Sequence, residues 1–299
     1  MSRAVSPSAH HPYGLVRVTR LWRVARSTVY LRRSRALEPA QPAKKRGPRG
    51  GISDEALLAG IRQVLADSPW VGEGHRKVWA QLRFKDVRSS RRRVLRLMRE
   101  SNLLAPTRAG QAHGPKAHDG VIITTQPDQR WGTDGATTLT DEGNAAIFFV
   151  VDHCTTECLG IHAARHGTRF EALEPLRQAV RSSFGEYHEG IANSLELRHD
   201  HGSMFIADVY QDEVRFLGIT SSPSYVREPQ GNGCAERFVR TMKEQLLWLR
   251  RFATIEELRL ALQEFREKYN RQWLIERHGY LTPSAMRAKL LGDAETAAA

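Results

Sequence analysis

The sequence predicts an α/β protein: a five-stranded mixed sheet with flanking helices, preceded by an all-α region. Three observations carry this. Residues 131–164 hold three β-rich runs parted by short turns. Helical and β-rich segments then alternate to about residue 249. Before residue 104 only helical spacing of apolar residues is found.

In residues 1–34, Leu15, Val18, Leu21 and Trp22 recur at helical spacing, and a second helix starts near Ala25 with Ser27 as its cap. Helix, short turn, helix suits a helix-turn-helix. Residues 35–52 are a linker broken by Pro39, Pro42, Gly47, Pro48, Gly50 and Gly51, and its run Lys44-Lys45-Arg46 is a candidate for tracking DNA phosphates. Residues 53–118 form a helical DNA-binding region and a second linker. Its first helix runs to about Asp67, with Asp54 and Glu55 in the first turn. The second spans about Gly74 to Arg83, and the third runs from Ser89 or Ser90 to Arg99. In that third helix Val94, Leu97 and Met98 make an apolar stripe. Arg91, Arg92, Arg93, Arg96 and Arg99 cover the rest, as on a phosphate-clamping helix.

Residues 119–252 read as the α/β domain. Strands are expected over Trp131–Thr140, Ala145–Asp152, Cys158–Ala164, Ser194–Arg198 and Ile219–Ser221. The apolar run Ala145–Asp152 is typical of a central strand covered on both faces. Helices are expected over Arg169–Phe184, Phe205–Leu217 and Gly231–Leu249. Three antiparallel strands, then helix, strand, helix, strand, helix, is the ribonuclease-H-like order. Residues 253–299 open on Thr254-Ile255-Glu256-Glu257, a capping box, with Leu258, Leu262, Phe265 and Tyr269 lining the helix that follows. The tail from Gly292 is expected to be disordered.

Charge separates these regions. Residues 1–118 hold 25 Lys and Arg against 7 Asp and Glu, a net +18, whereas residues 119–299 hold 20 against 26, a net −6. Nucleic-acid binding is therefore assigned to the first part. Three cysteines, Cys154, Cys158 and Cys234, make no paired framework, so reduced thiols in a cytoplasmic setting are expected. The longest apolar run, Ala145–Val151, is too short to span a membrane, and no apolar stretch follows the basic N-terminus as in a signal peptide.

Three acids far apart in sequence carry the chemistry. Asp134 lies on the expected first strand, Asp200 just past the fourth, and Glu236 on the helix after Gly231. Converging there, they would repel and lose ionisation unless cations were present. Two Mg²⁺ or Mn²⁺ ions, about 3.5–4 Å apart, would relieve this and act on a phosphodiester with no protein nucleophile. Lys243, two helical turns past Glu236, lies on roughly the same face and is a candidate for the DNA backbone. Asn232, one turn before Glu236, could hold its carboxylate or contact DNA. Asp152 ends the second strand, and neither it nor Glu244 is assigned to the acid set.

Trp131-Gly132-Thr133-Asp134, Arg198-His199-Asp200-His201-Gly202-Ser203 and Asn232-Gly233-Cys234-Ala235-Glu236-Arg237-Phe238 with Lys243 resemble the catalytic core of retroviral-type integrases and bacterial insertion-sequence transposases. The second reading-frame product of the insertion-sequence-three family is most similar. Gly72–Trp79 and Arg93–Glu100 resemble that family's helix-turn-helix segment, and Tyr269-Asn270, His278, Leu281 and Pro283 its C-terminal signature. The resemblance implies a DNA transposase or integrase that cleaves and joins strands with two divalent ions held by Asp134, Asp200 and Glu236. It implies duplex DNA at element ends and target as partner, a homo-oligomer on that DNA, and a companion upstream-frame protein. It also implies a nucleoid-associated location. Gly231 stands where the family often has Asp, and Gly135 and Ala136 where it often has Ile and Tyr, so the departures fall on target contacts and spare the acids. Two other readings are a transposase-derived DNA-binding regulator without catalysis, against which the intact acids argue, and a hydrolytic nuclease, against which the basic N-terminal part and Lys243 argue.

Overall fold

Five strands assemble in the order β3-β2-β1-β4-β5 in a computed structural model that describes residues 3–37, 51–106, 124–224 and 232–298. The linker residues Lys44, Lys45 and Arg46 lie outside the described residues, as does 107–123 of the second linker. β1 (Arg130–Thr140), β2 (Gly143–Asp152) and β3 (Cys158–Ala164) pair antiparallel, while β4 (Glu196–His199) runs parallel beside β1 and β5 (Thr220–Pro223) parallel beside β4. The mixed five-stranded order is as expected, with β1 in the middle.

The double covering of β2 follows from its alternation. Ile147, Phe149 and Val151 face one apolar cluster, and Ala146, Phe148 and Val150 face another. On the second face lie α6 (Arg169–Phe184) and α8 (Asp208–Phe216), through Leu173, Leu176, Val180, Tyr210 and Val214. On the first lie α9 (Gly233–Met242) and α10 (Ile255–Gln272), through Phe238, Met242, Leu258, Leu262 and Phe265. Pro175 sits inside α6, and its carbonyl oxygen lies 2.0 Å from where a Cβ on Gly160 of β3 would stand. Only glycine admits this approach of helix to strand.

Four elements depart from expectation. The helix expected over Phe205–Leu217 is broken at Ala207, whose backbone is extended, into α7 (Ser203–Ile206) and α8. The Gln211 amide donates to the Phe205 carbonyl at 2.7 Å, satisfying an acceptor that the break exposes. The helix expected over Gly231–Leu249 ends as α at Met242 and continues as a π turn, Lys243–Leu247, closed by Trp248 N–H to the Lys243 carbonyl at 2.9 Å. The wider turn lets Met242 and Leu247, five residues apart, both enter the core. Ser27 lies inside the first turn of α2, which begins at Arg26, and does not precede it as a cap. The tail from Gly292 belongs to α11 (Pro283–Ala298), so its expected disorder is corrected: proline at the first position and an alanine-rich end favour helix.

Residues 1–51 and 52–299 are separate compact units. The first contains α1 (Gly14–Leu21) and α2 (Arg26–Leu37). In the second, α3 (Asp54–Asp67), α4 (His75–Phe84) and α5 (Arg91–Glu100) enclose Leu57, Ile61, Val78, Val94 and Met98. Ser53 and Ser90 cap α3 and α5 by accepting from Ala56 and Arg93 N–H. Trp70 joins the core of the sheet, edge-on to Trp273 and Phe265. Gln245 of the π turn exchanges two 2.9 Å hydrogen bonds with the backbone of Val71. No described helix is long and apolar enough to cross a membrane.

Candidate active site and nucleic-acid-facing residues

Strand alternation puts Asp134 on the same face of β1 as Gly132 and Ala136, and Ala136 packs against the cluster built with α9. Asp200 follows the last residue of β4, the parallel neighbour of β1. Glu236 lies in the first turn of α9. The Asp134 carboxyl is half-buried, accepts from Gly135 N–H at 2.7 Å, and is pushed up to about 6. Burial is the main cause. The charges of Asp200 and Glu236 push the same way, while the Gly135 N–H and the charge of Lys243 oppose. Groups from β1, from the turn after β4, from α9 and from the π turn therefore act on one carboxyl. Among the described residues no three His, Cys, Asp or Glu close round a single ion-sized point. The charges of Asp200 and Glu236 reach Asp134, but the three acids are not gathered into a closed cage.

Local structure holds each acid in its own way. Asp200 accepts from Gly202 N–H at 2.9 Å, and a Cβ on Gly202 would stand 2.8 Å from that same carboxylate oxygen, so glycine there lets the carboxylate sit close against the turn after β4. Glu236 keeps its side chain at the surface, and partial shielding by its surroundings pushes its carboxyl above the ordinary range. Lys243 is half-buried, with its charge directed at Asp134. Asp152 is fully buried and accepts from the Asp128 and Thr155 N–H groups and the Thr155 hydroxyl, so it anchors a turn and stands apart from the acid set. Glu244 pairs with Arg240 at 3.0 Å.

Asn232 is corrected. It is buried, and its amide donates to the Thr133 carbonyl at 3.0 Å, so it neither grips Glu236 nor presents itself to DNA. It ties the start of α9 to the residue before Asp134. A Cβ on Gly132 would stand 2.7 Å from Asn232 Oδ1 and 2.9 Å from His153 Nε2, so Gly132 admits both side chains. Neither of those atoms finds a hydrogen-bond partner among the described residues, and burial holds the His153 imidazole down at about 4, neutral. His153 goes unnoticed in a sequence reading. Gly132, two residues before Asp134, is the signal that sequence offers for it, since a strand glycine marks close approach.

The five arginines of α5 are not equivalent. Arg93 donates to Asp54 and to the Ile52 carbonyl at 2.7 and 2.8 Å, and Arg96 pairs with Asp54 at 2.7 Å and with Glu100 at 2.8 Å. These bonds, Arg96 first, hold the Asp54 carboxyl below its ordinary range. Arg91 stacks 4.5 Å from the Trp79 ring centre and reaches Glu276 at 3.8 Å. Arg92 and Arg99 are exposed and make no ion pair among the described residues. The expectation of a fully DNA-facing arginine helix is corrected for Arg93 and Arg96, whose charge the adjoining helix already uses.

Residues 217–283 match the model of the integrase core domain, and residues 53–110 that of an HTH-like domain. The chain is 28% identical over 242 residues to transposase InsD of insertion element IS2 from Escherichia coli, covering 79% of this chain and 78% of that one. It is 28% identical over 257 residues to a 48.2 kDa protein of insertion element IS2A from Escherichia coli, of which it spans 59%. Among solved structures it is similar to the catalytic core domain of BIV integrase, with a TM-score of 0.41, 19% identity, and coverage of 57% of this chain and 99% of that one. It is also similar to a chain of a simian T-cell lymphotropic virus intasome, with a TM-score of 0.47, 16% identity, and 70% of each chain covered.

Proposed function

We infer that this chain, a transposase of the insertion-sequence-three type with an HTH-like domain and an integrase core, works through Asp134, Asp200 and Glu236. In this reading it cuts DNA at element ends and joins the freed 3′-hydroxyl to a target phosphodiester. The observation that carries the assignment is the coupling at Asp134, where a half-buried carboxyl senses Asp200, Glu236 and Lys243 together. Mutually repelling carboxylates offering only hard oxygen donors fit Mg²⁺ or Mn²⁺. Two such ions, when bound, supply activation of the attacking oxygen and neutralisation of charge on the scissile phosphate.

The remaining roles belong to this chain's own groups. With its carboxyl at about 6, Asp134 is mostly ionised at pH 7 and above and can serve as a ligand there. Asn232 keeps α9 in register with β1, so that Glu236 and Asp134 hold their relative positions. The Lys243 ammonium, beside the acids, offers its charge to a backbone phosphate of the DNA end. More than one copy would assemble on the DNA, because two element ends must be joined to one target.

Glu236→Gln keeps size and hydrogen bonding but removes the ligand charge. With end DNA and Mn²⁺, nicking and joining should fall by at least about 10³-fold, while duplex binding stays near that of the parent chain. Full strand transfer by the Glu236→Gln protein would overturn the enzymatic assignment and leave a DNA-binding regulator as the better account.

A further inference from the structure

Residues 1–51, outside both matched domains, carry an unassigned feature. Residues 1–37 contain eight arginines and no Asp or Glu. Any neutralising anion must therefore come from elsewhere. α1 closes with Val24 N–H to the Thr19 carbonyl at 3.0 Å and Arg23 N–H to the Arg20 carbonyl at 3.2 Å. This turn holds Arg23 at φ 51°, a left-handed conformation uncommon for a residue with a side chain. The Thr19 hydroxyl is buried and donates to the Leu15 carbonyl at 2.8 Å within α1.

Arg20, Arg23 and Arg26 consequently line one open cleft of about 350 Å³ between the end of α1 and the start of α2. All three are exposed. No acid occupies the first turn of α2, so the positive end of that helix adds to the same field. Trp22 and Tyr30, outside the lining of the cleft, are about three-fifths exposed, at 62% and 59%.

We propose that this cleft is a phosphodiester-binding site, and that residues 1–37 are a second DNA-backbone contact acting beside the HTH-like domain. Three guanidinium groups converging on one opening suit bidentate phosphate oxygens. Sequence-independent backbone contact suits arginines that project from a turn and its flanking residues rather than from one recognition face. The proposal rests on the transposase reading, but its test does not pass through the acids.

The test uses the full chain without added metal, a fluorescent duplex, and anisotropy across a potassium chloride series. Arg20→Gln/Arg23→Gln/Arg26→Gln should reduce the slope of log affinity against log salt by about 2–3, as expected when that many phosphate contacts are lost. Arg20→Lys/Arg23→Lys/Arg26→Lys should keep most of the slope, since counterion release follows charge; this also guards against a folding defect in the Gln variant. An unchanged slope in the Gln variant overturns the site. So does an equal loss in both variants, which would mean that the arginines act through structure and not through charge. Joining activity that survives in the Gln variant at low salt, beside its absence in Glu236→Gln, separates a failure here from a failure of the catalytic reading.

Discussion

The first two helices and the three of the HTH-like region carry similar numbers of cations and use them in opposite ways. Residues 1–37 hold eight arginines and no acid, whereas residues 52–106 hold eleven Lys and Arg against six Asp and Glu. Three of those acids are paired with cations. Asp54 takes Arg93 and Arg96, Glu100 takes Arg96, and Asp67 takes Lys85 at 3.0 Å. In the first pair Arg20, Arg23 and Arg26 present their charge to a ligand; in the second, part of the charge holds helices together. A count of basic residues therefore overstates the surface that α5 can offer to DNA.

The comparison sharpens most if the arginines of α5 are separated. Arg92→Gln/Arg99→Gln should lower the salt slope of duplex binding by about 2, with the melting temperature unchanged. Arg93→Gln should leave the slope near its original value but cost stability, of order 1 kcal/mol for the lost hydrogen bonds to Asp54 and Ile52. The opposite pattern would mean that the pairs with Asp54 open when DNA binds.

A smaller change comes from the acid side. Asp54→Asn removes the acid shared by Arg93 and Arg96, while Glu100 still holds Arg96, and should raise the slope by about 1, bringing α5 closer to the behaviour of the N-terminal pair. No change in slope would show that Arg93 and Arg96 point away from the DNA whether or not they are paired.

A further effect, on stability and not on DNA binding, concerns a cation that neither pairs with an acid nor faces solvent. Lys77 of α4 has a buried amine with no hydrogen-bond partner among the described residues, 2.9 Å from the centre of the Trp273 ring. Burial pushes it down to about 7, while Glu73 and the ring face favour the charged form. Because the folded amine binds its proton less tightly than the unfolded one, stability should climb as pH rises from about 7 towards 10. Lys77→Met should stabilise residues 52–299 by about 1–2 kcal/mol near pH 6, a gain that fades near pH 10; urea midpoints at both ends of the range would measure it. A gain independent of pH would mean that the ring keeps the ammonium charged throughout.

Much of the fold could be read locally. The apolar run of β2 shows its double burial, the β-rich runs of β1 and β3 between short turns show strands, and the stripe Val94, Leu97, Met98 shows the inward face of α5. Each is a period of two or of about 3.6 residues written into neighbouring positions. The positions of Asp134, Asp200 and Glu236 on two adjacent strands and one helix could likewise be anticipated, because element order limits which strand ends meet. Tertiary structure alone decided how polar groups were used. Arg93 meets Asp54 across 39 positions, Asn232 turns inward to Thr133 across 99, and Gln245 reaches Val71 across 174. A hydrogen bond between distant side chains leaves no periodic trace, and a charged or amide group reads the same in sequence whether it faces solvent or a partner. The break at Ala207 and the π turn after Met242 have the same origin: Gln211 returning to Phe205, and Leu247 seeking the core, are settled by packing that propensity along the chain does not encode.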